Sequence, residues 1–408
     1  MDFAQSVKYL LSLGHETLTI KLGLRNTELL LAALDNPERA FASVQIAGTN
    51  GKGSTAVMLD SICRAAGIRS GLYTSPHLVS ITERVKVSGV EITTEEFASC
   101  ATVVRDVSEQ LEALPTFFEQ VTAIALLAFR HAHIELAVLE TGLGGRLDST
   151  TAANAHVVGI TSIGFDHEEY LGNTIESIAA EKAAIIRPGV RAVIGRQPEP
   201  AALDVLLKRC EQVGVKPIFA DSQMTNDVVL GLRGRHQIDN AAVAIALAEL
   251  LSAEGFAISR TAILEGLRTA THAGRLELIH HNPSILIDGA HNPAGAQSLR
   301  DYLNEFTTRP LTLVFGAMRD KQLEQMGEIL FPIADTLVLT TIDNPRSATV
   351  EQLRTVAARF TRGTILTNQS SAEALRTALA HTPAEGVICI AGSLYLIGEL
   401  RPLVLSLS

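Results

Sequence analysis

The chain lacks several features that would mark other classes of protein. Its 408 residues include 34 Lys or Arg against 44 Asp or Glu, a net charge of −10, so no basic excess is available to bind a polyanion. The four cysteines form no Cys-x-x-Cys pair, which argues against a disulfide framework or a cysteine zinc site. No apolar run is long enough to cross a bilayer, and the N-terminus has no export-signal pattern. We therefore expect a cytoplasmic protein with neither a nucleic-acid nor a membrane partner, while a small anionic ligand remains allowed.

Short apolar runs alternate with helical patterns along most of the chain. The runs lack the polar alternation of half-exposed strands, which is typical of strands buried on both faces of a parallel sheet. The helical segments between them can supply the crossover connections. The sequence therefore predicts an α/β fold with parallel sheets. The runs are Val44–Ile46, Ile134–Leu139, Val157–Thr161, Ala192–Ile194, Ile285–Ile287, Leu311–Phe315, Thr336–Leu339 and Val387–Ile390.

The order of these patterns predicts two domains. Helical patterns at Asn240–Leu251 and Ser259–Ala270 are followed by a turn at 271–275, and Ile285–Ile287 then begins a second β-α series. We place the boundary at this turn, with a first domain over residues 1–270 and a second over 271–408.

A glycine-rich segment, Gly48–Thr55, follows the first apolar run and precedes a helical pattern at Ala56–Ala66. Glycines let backbone N–H groups turn toward a phosphate chain, and the N-terminus of the next helix adds partial positive charge. Lys52 can reach the β- and γ-phosphates, and the Ser54 hydroxyl can ligate Mg²⁺. The segment departs from the standard Walker pattern, because Ile46 stands at its first glycine and an extra glycine separates Lys52 from Ser54. The alternative is a turn that only packs strand on helix.

Candidate metal ligands stand at the ends of predicted strands. Glu140 follows the run Ile134–Leu139, and a carboxylate at the carboxyl end of a parallel strand lies beside such a phosphate loop. Ser75 and His167 occupy similar positions after two other strands. Each is equally compatible with an ordinary turn, and a lone histidine is more often a packed residue than a ligand.

Two further segments carry reactive groups. Lys182 lies near the end of a helical pattern, where by itself it looks like a solvated lysine. Asp288–Pro293 follows the strand Ile285–Ile287 and includes His291. This is the end of a strand at which open α/β sheets bind ligands.

Eight motifs occur in one order: Gly48–Ser54, Thr74–Leu78, Glu140–Asp148, Asp166-His167, Glu181–Ala183, Gly234–Gln237, Asn240-Ala241 and Asp288–Pro293. This ordered set resembles folylpolyglutamate synthase/dihydrofolate synthase, a branch of the ATP-dependent Mur ligase superfamily. The resemblance spans nearly the whole chain. It implies an N-terminal P-loop ATPase domain of the Mur ligase type, a C-terminal Rossmann-like α/β domain, and a site in the cleft between them.

The resemblance also implies roles for individual residues. Lys182 matches the lysine that is carbamylated in this family, where CO₂ turns a cation into an anionic metal ligand. The ATP contacts would be Asn50, Gly51, Lys52, Gly53, Ser54, Thr55, Asn240, Arg275 and Asp288. The ligands of one or two Mg²⁺ ions would be Ser54, Ser75, Glu140, His167 and Lys182. The catalytic groups would be Lys52, Lys182 and His291.

The resemblance also implies the reaction. ATP would convert the carboxylate of dihydropteroate, or of a folate, to an acyl phosphate, and the amine of L-glutamate would then displace phosphate. ATP and Mg²⁺ would be required, a monovalent cation would be compatible, and a monomer is expected. The acid would be cradled by Leu24, Arg25, Asn26, Thr27, Thr116, Phe117, Phe118, Glu119, Leu147, Asp148 and Ser149.

Other interpretations stay open at this point. The chain could be a folylpolyglutamate synthase without the dihydrofolate activity. A cell-wall ligase of the same superfamily would usually carry a further domain before the phosphate loop. A GTPase switch would show Asn-Lys-x-Asp and a transport ATPase Leu-Ser-Gly-Gly-Gln, and neither motif occurs. One departure from the family is His272-Ala273, where Trp-Pro is common; the chain has no tryptophan.

Overall fold

A computed structural model describes residues 1–14, 23–226, 228–307 and 310–407. Within these ranges the chain divides into two compact units. The first comprises Met1–Gly231 and Gln237–Thr271, and the second comprises Leu232–His236 and His272–Ser408. Among the helices of these ranges, none combines the length and the apolar character needed to cross a membrane.

The first unit is built on an eight-stranded sheet in the order β4-β3-β2-β5-β1-β6-β7-β8. The sheet is parallel from β2 to β8, whereas β3 and β4 add an antiparallel hairpin at one edge. The strands are β1 (Ala42–Ala47), β2 (Ser70–Tyr73), β3 (Val85–Val87), β4 (Val90–Glu91), β5 (Leu136–Glu140), β6 (Val157–Ile160), β7 (Arg191–Ile194) and β8 (Ile218–Phe219).

Helices pack on both faces of this sheet. On one face, an apolar core joins Tyr73 and Leu139 to α1, α2, α4 and α5, and a second core beside it joins Ala47 and Ile160 to α7 and α8. On the opposite face α9 packs on β6, where a Cβ at Gly159 would meet Leu247. The helices are α1 (Phe3–Ser12), α2 (Arg25–Ala33), α3 (Lys52–Ala65), α4 (Thr94–Ser108), α5 (Phe117–His131), α6 (Glu168–Leu171), α7 (Ile175–Ala183), α8 (Pro200–Val213), α9 (His236–Ala253) and α10 (Arg260–Thr269).

The second unit has a six-stranded sheet in the order β13-β12-β11-β14-β10-β9, in which only the β9–β10 pairing is antiparallel. Its core packs residues such as Phe315, Phe331 and Leu337. The strands are β9 (Glu277–His281), β10 (Ser284–Ile287), β11 (Leu311–Phe315), β12 (Thr336–Thr340), β13 (Thr364–Asn368) and β14 (Val387–Ala391). The helices are α11 (Pro293–Phe306), α12 (Leu323–Leu330), α13 (Val350–Phe360), α14 (Ser371–His381) and α15 (Leu394–Leu405).

The α/β class predicted from the sequence is confirmed, with two corrections. The sheets are mixed, because the short β3–β4 hairpin and β9 pair antiparallel. The helix after the phosphate loop begins at Lys52 instead of Ala56, because Gly51 adopts a left-handed conformation and ends the turn. Consequently Ser54 and Thr55 lie in the first turn of a helix.

Candidate functional site

The register of three neighbouring strands brings the predicted residues of the first unit to one edge. Ile46 of β1 lies opposite Glu140 of β5, and Ala47 lies opposite Ile160 of β6. The glycine-rich segment and the segment 161–167 therefore leave the sheet side by side, next to Glu140. β2 runs parallel to β5, so Ser75 leaves the sheet at the same edge.

The phosphate loop is tied to the segment that follows β6. The backbone N–H groups of Thr49 and Asn50 donate to the carbonyl of Ser162 at 2.8 and 3.3 Å. The Thr161 hydroxyl donates to the carbonyl of Asn50 at 2.7 Å. The Thr49 hydroxyl donates to the Gly164 carbonyl at 3.0 Å and accepts from its N–H at 3.1 Å. These bonds fix the loop, and Asn50, a predicted ATP contact, takes part in them only through its backbone.

Gly51 is the residue at which the loop turns into α3. Its φ is +89°, which favours glycine, and a Cβ there would overlap the side-chain amide oxygen of Asn240. Asn240 donates to Gln237 at 2.9 Å, and Gln237 in turn donates to the Ser54 hydroxyl at 3.4 Å. Asn240, a predicted ATP contact that is distant from the phosphate loop in sequence, thus lies against the first turn of α3. Backbone N–H groups at this helix end are suited to an anion.

Two lysine amines lie on the backbone of this loop. Lys182, in the last turn of α7, is buried, and its Nζ donates to the carbonyl of Gly48 at 2.8 Å. The Nζ of Lys52 donates to the carbonyl of Thr49 at 3.3 Å. Burial, followed by the positive charge of Lys52, lowers the pKa of Lys182 to about 7. The interpretation of Lys182 as a solvated lysine is therefore wrong, since tertiary packing encloses the end of α7.

Ser75 and Glu140 are in direct contact. The backbone N–H of Ser75 donates to Oε2 of Glu140 at 3.2 Å. The loop that continues from Ser75 is held by Glu83, whose carboxylate accepts the N–H groups of Leu78, Val79 and Ser80 at 2.7 to 2.9 Å. Three donors on one carboxylate fix the loop strongly, since hydrogen bonds to charged groups are the stronger kind.

His167 lies at the start of α6, next to Asp166. Its φ is +53°, and its N–H donates to Asp166 Oδ1 at 2.9 Å. Within the described ranges, no three His, Cys, Asp or Glu side chains converge as a metal site. A cation at this edge would therefore depend on hydroxyl, phosphate or carbamate oxygens besides Glu140 and His167. That donor set suits Mg²⁺, which binds through few carboxylates and through substrate phosphates.

The three segments predicted to cradle the acid substrate meet in the first unit. The Thr27 hydroxyl lies 3.4 Å from both Glu119 Oε1 and the Ser149 hydroxyl, and all three side chains are buried. Glu119 also accepts the N–H of Thr116 at 2.6 Å, so it closes the N-terminus of α5. Within these segments Arg25 is exposed, whereas Leu24, Asn26, Phe118 and Leu147 are half-buried.

Asp148 is enclosed at the start of a short 3₁₀ helix, Ser149–Ala153. Its carboxylate accepts the N–H of Leu143 at 2.9 Å, and the N–H and hydroxyl of Thr150 at 3.0 and 2.5 Å. Burial raises the pKa of Asp148, while these donors oppose the rise. Asp148 therefore sets the shape of the segment that precedes it.

The predicted residues of the second unit also cluster. Asp288, after β10, accepts the N–H groups of Leu276 and Ala290, both at 2.9 Å. A Cβ at Gly289 would touch the guanidinium of Arg275, and Nδ1 of His291 donates to the Gly289 carbonyl at 2.8 Å. Burial raises the pKa of Asp288, and Arg275 opposes that rise. Arg275, Asp288 and His291 thus share one end of β10.

Sequence reasoning missed several residues that organise these groups. Glu83 could have been found as the partner of Ser80 in a Ser-x-x-Glu capping box. Gln45 was detectable as a polar residue inside an apolar strand. Gln237 stands beside the predicted Asn240, but nothing local signals its contact with Ser54.

Comparison with known proteins places the chain in a family. Residues 46–199 match the Mur ligase middle domain, and residues 274–394 match the domain described as Mur ligase, glutamate ligase domain. The chain is 34% identical to the dihydrofolate synthase/folylpolyglutamate synthase of Bacillus subtilis, over 94% of this chain and 95% of that one.

Solved structures give the same answer. Escherichia coli FolC in complex with DHPP and ADP has a TM-score of 0.89 and 30% identity, over 99% of this chain and 98% of that one. The Yersinia pestis bifunctional folylpolyglutamate synthase/dihydrofolate synthase, complexed with AMPPNP and Mn ion, has a TM-score of 0.86 and 29% identity, over 99% of this chain and 98% of that one. The chain belongs to the dihydrofolate synthase/folylpolyglutamate synthase family of Mur ligases.

Proposed function

We propose that this ATP-dependent ligase joins L-glutamate to dihydropteroate and to folates, releasing ADP and phosphate. The observation that carries the proposal is the meeting of the phosphate loop, Glu140, Ser75 and the buried Lys182 at one sheet edge. Relatives of similar length that carry both activity names support it.

ATP is proposed to bind with its phosphates against the loop and the first turn of α3. Lys52 would neutralise charge on the γ-phosphoryl group, and the N–H groups of 51–54 would surround the phosphates. Asn240 supports the same turn. Arg275 and Asp288 of the second unit are proposed as further ATP contacts by their match to the family motifs.

The residues proposed to hold Mg²⁺ are Ser54, Ser75, Glu140, His167 and a carbamylated Lys182. When bound, the cation would supply charge neutralisation on the transferring phosphoryl group. A neutral Lys182 amine can add to CO₂, forming an N–C bond and releasing one proton to give a carbamate. The pKa of Lys182, about 7, makes the neutral amine well populated near neutral pH. The amine of an ordinary lysine is mostly protonated there.

The chemistry is activation of an inert carboxylate. The acid oxygen attacks the γ-phosphorus, ADP leaves, and an acyl phosphate forms. The amine of glutamate then attacks the acyl carbon, phosphate leaves, and an amide remains. The chain needs no covalent nucleophile, so its part is to position the reactants and balance charge. His291 is proposed as a group near the transferred phosphate.

The acid is proposed to bind along the Leu24–Thr27, Thr116–Glu119 and Leu147–Ser149 segments. The meeting of Thr27, Glu119 and Ser149 supports a single site made by all three. We also propose a cytoplasmic monomer, as the resemblance to the family implies.

A two-substrate assay tests the proposal. Purified protein is given ATP, Mg²⁺ and L-glutamate with either dihydropteroate or tetrahydrofolate, and ADP and amide products are measured. Both acids should be ligated, and neither amide product nor sustained ADP release should appear without glutamate. Turnover of tetrahydrofolate alone would identify a monofunctional folylpolyglutamate synthase. Turnover of neither acid would overturn the proposal.

A further inference from the structure

Gln45 is a polar side chain in the middle of the central strand of the first unit. It lies between Leu139 of β5 and Val158 of β6, and it is fully buried. Burying an amide costs free energy unless its groups are hydrogen-bonded, so an apolar residue would be the cheaper choice for packing. Its partners therefore indicate what the amide contributes.

Both hydrogens of the Gln45 amide are used on one neighbouring segment. Nε2 donates to the hydroxyl of Thr150 at 3.0 Å and to the hydroxyl of Thr151 at 2.7 Å. The two hydroxyls use their own hydrogens elsewhere, Thr150 on Asp148 Oδ1 at 2.5 Å and Thr151 on the Gly145 carbonyl at 2.7 Å. The hydroxyls must therefore accept from the amide, and this requirement fixes which end of the amide faces them.

The other end of the amide shows what this orientation costs. Oε1 of Gln45 is buried and has no hydrogen-bond partner among the described residues. An unsatisfied buried acceptor is unfavourable. The Gln45 amide therefore donates two hydrogen bonds, to Thr150 and Thr151, although its oxygen Oε1 is left without a donor among the described residues.

From these contacts we infer that Gln45 is a positioning residue for the acid substrate. It anchors the segment 145–151 to β1 through Asp148 on one side and Gly145 on the other, and Ser149 of this segment contacts Thr27. The inference rests on the proposed function, in which 147–149 contacts the pteroyl acid. Gln45 itself is enclosed and acts only through the threonines.

The phosphate loop has separate supports. Its bonds run to the segment 161–164 and to the Lys182 amine, and no bond runs to it from the Gln45 side chain in the part of the chain that the structure describes. Loss of the Gln45 amide should therefore weaken the use of the acid while leaving the use of ATP nearly unchanged.

The test compares two glutamine substitutions. Gln45→Met keeps length and volume but removes the donor, and should raise KM for dihydropteroate roughly 5- to 10-fold, the scale of about one hydrogen bond, with KM for ATP nearly unchanged. Gln197→Met is the matched control. Gln197 bonds the Ile163 N–H and the Thr161 carbonyl beside the phosphate loop, so it should not affect the acid selectively.

A second variant approaches the same contact from the other side. Thr151→Val removes one acceptor while leaving Gln45 in place, and it should also raise KM for dihydropteroate. Together with Gln45→Met its effect should be less than additive, because both act on one segment. If Gln45→Met does not fold, Thr151→Val carries the test alone.

The outcomes separate the inference from the function. If the wild-type chain releases no ADP with dihydropteroate and glutamate, the proposed function fails and the inference with it. If the wild-type chain is active, equal rises in both KM values for Gln45→Met, or no rise in either, overturn only the role of Gln45.

Discussion

The side-chain amine of Lys182 lies 2.8 Å from the carbonyl oxygen of Gly48, across 134 residues of sequence. This contact places a buried amine on the first glycine of the phosphate loop. The positive charge of Lys52 is close enough to lower its pKa further. A lysine held in this way is suited to reaction with CO₂ because its neutral form is accessible.

We expect the activity to depend on CO₂ through Lys182. In buffer depleted of CO₂ the rate of ADP release should fall, and added bicarbonate should restore it. Lys182→Arg keeps a cation but cannot form the carbamate, so it should stay inactive with or without bicarbonate. Full activity without bicarbonate, in protein whose intact mass shows a plain amine, would contradict this prediction.

Stability should depend on pH through the same side chain. Its pKa is about 7 in the folded chain against 10.5 ordinarily, so between these values the unfolded chain binds more protons. The unfolding free energy should then rise with pH in this window, by at most about 1.4 kcal/mol per pH unit. Below pH 7 Lys182 is protonated in both states, so the free-energy cost of burying its charged amine lowers stability by its full and constant amount.

Lys182→Met removes the free-energy cost of burying a charged amine. The variant should exceed the wild-type chain in stability most at low pH, and the difference should shrink as pH rises. Urea unfolding in CO₂-free buffer at several pH values from about 6 to about 9 measures it. A difference that grows with pH would refute the assigned direction.

Lys52→Ala should abolish ligation with the fold retained. Loss of a cation from the transferring phosphoryl group should lower kcat by roughly 10²-fold or more, the scale seen when one preorganised charge-stabilising group is removed. ADP release is the measurement, and circular dichroism checks the fold. Lys216→Ala changes an exposed lysine and should behave as the wild-type chain. Wild-type turnover in Lys52→Ala would show that Lys52 has no role in phosphoryl transfer.

Gly51→Ala should weaken ADP binding by more than its left-handed backbone conformation alone would cause. Gly67 has a similar φ, +79°, at the other end of α3, with open space around it. Gly67→Ala therefore measures the strain alone, about 1 kcal/mol. Gly51→Ala adds the collision with Asn240 and should weaken ADP binding roughly tenfold or more, equivalent to about 1.4 kcal/mol. Calorimetric titration with ADP tests this, and equal affinities in the two variants would contradict it.

Glu83→Gln should raise the Mg²⁺ concentration needed for activity, although Glu83 is not among the proposed Mg²⁺ ligands. It removes the charge that holds the N–H groups of 78–80, and thus loosens the loop that presents Ser75. The Mg²⁺ concentration for half-maximal activity should rise roughly 10-fold, as for other residues that support metal ligands. Glu91→Gln is the control, because within the described residues the Glu91 carboxylate accepts from this loop only the hydroxyl of Thr82, at 3.1 Å. An unchanged Mg²⁺ response would show that the loop needs no such support.

The sequence predicted the positions that follow directly from strand order. Glu140, Ser75 and the phosphate loop each follow a strand, and parallel strands bring such positions together. The burial of Lys182 was beyond local reasoning, because it depends on residues 134 positions away. The same holds for the bond from Gln45 to Thr151, across 106 positions. The β3–β4 hairpin was missed because its strands are too short for a periodic signal.

The register of β1 against β5 limits how this enzyme can be tuned. Ile46 stands abreast of Glu140, and a strand can slide only by whole residues of about 3.3 Å, each single step turning its side chains to the opposite face. A shift of β1 against β5 therefore cannot make a small change in the distance between the Glu140 carboxylate and the phosphate loop. Variation among such chains in metal preference should therefore concentrate in the connections at 74–84 and 161–167, while the strands beneath them stay fixed.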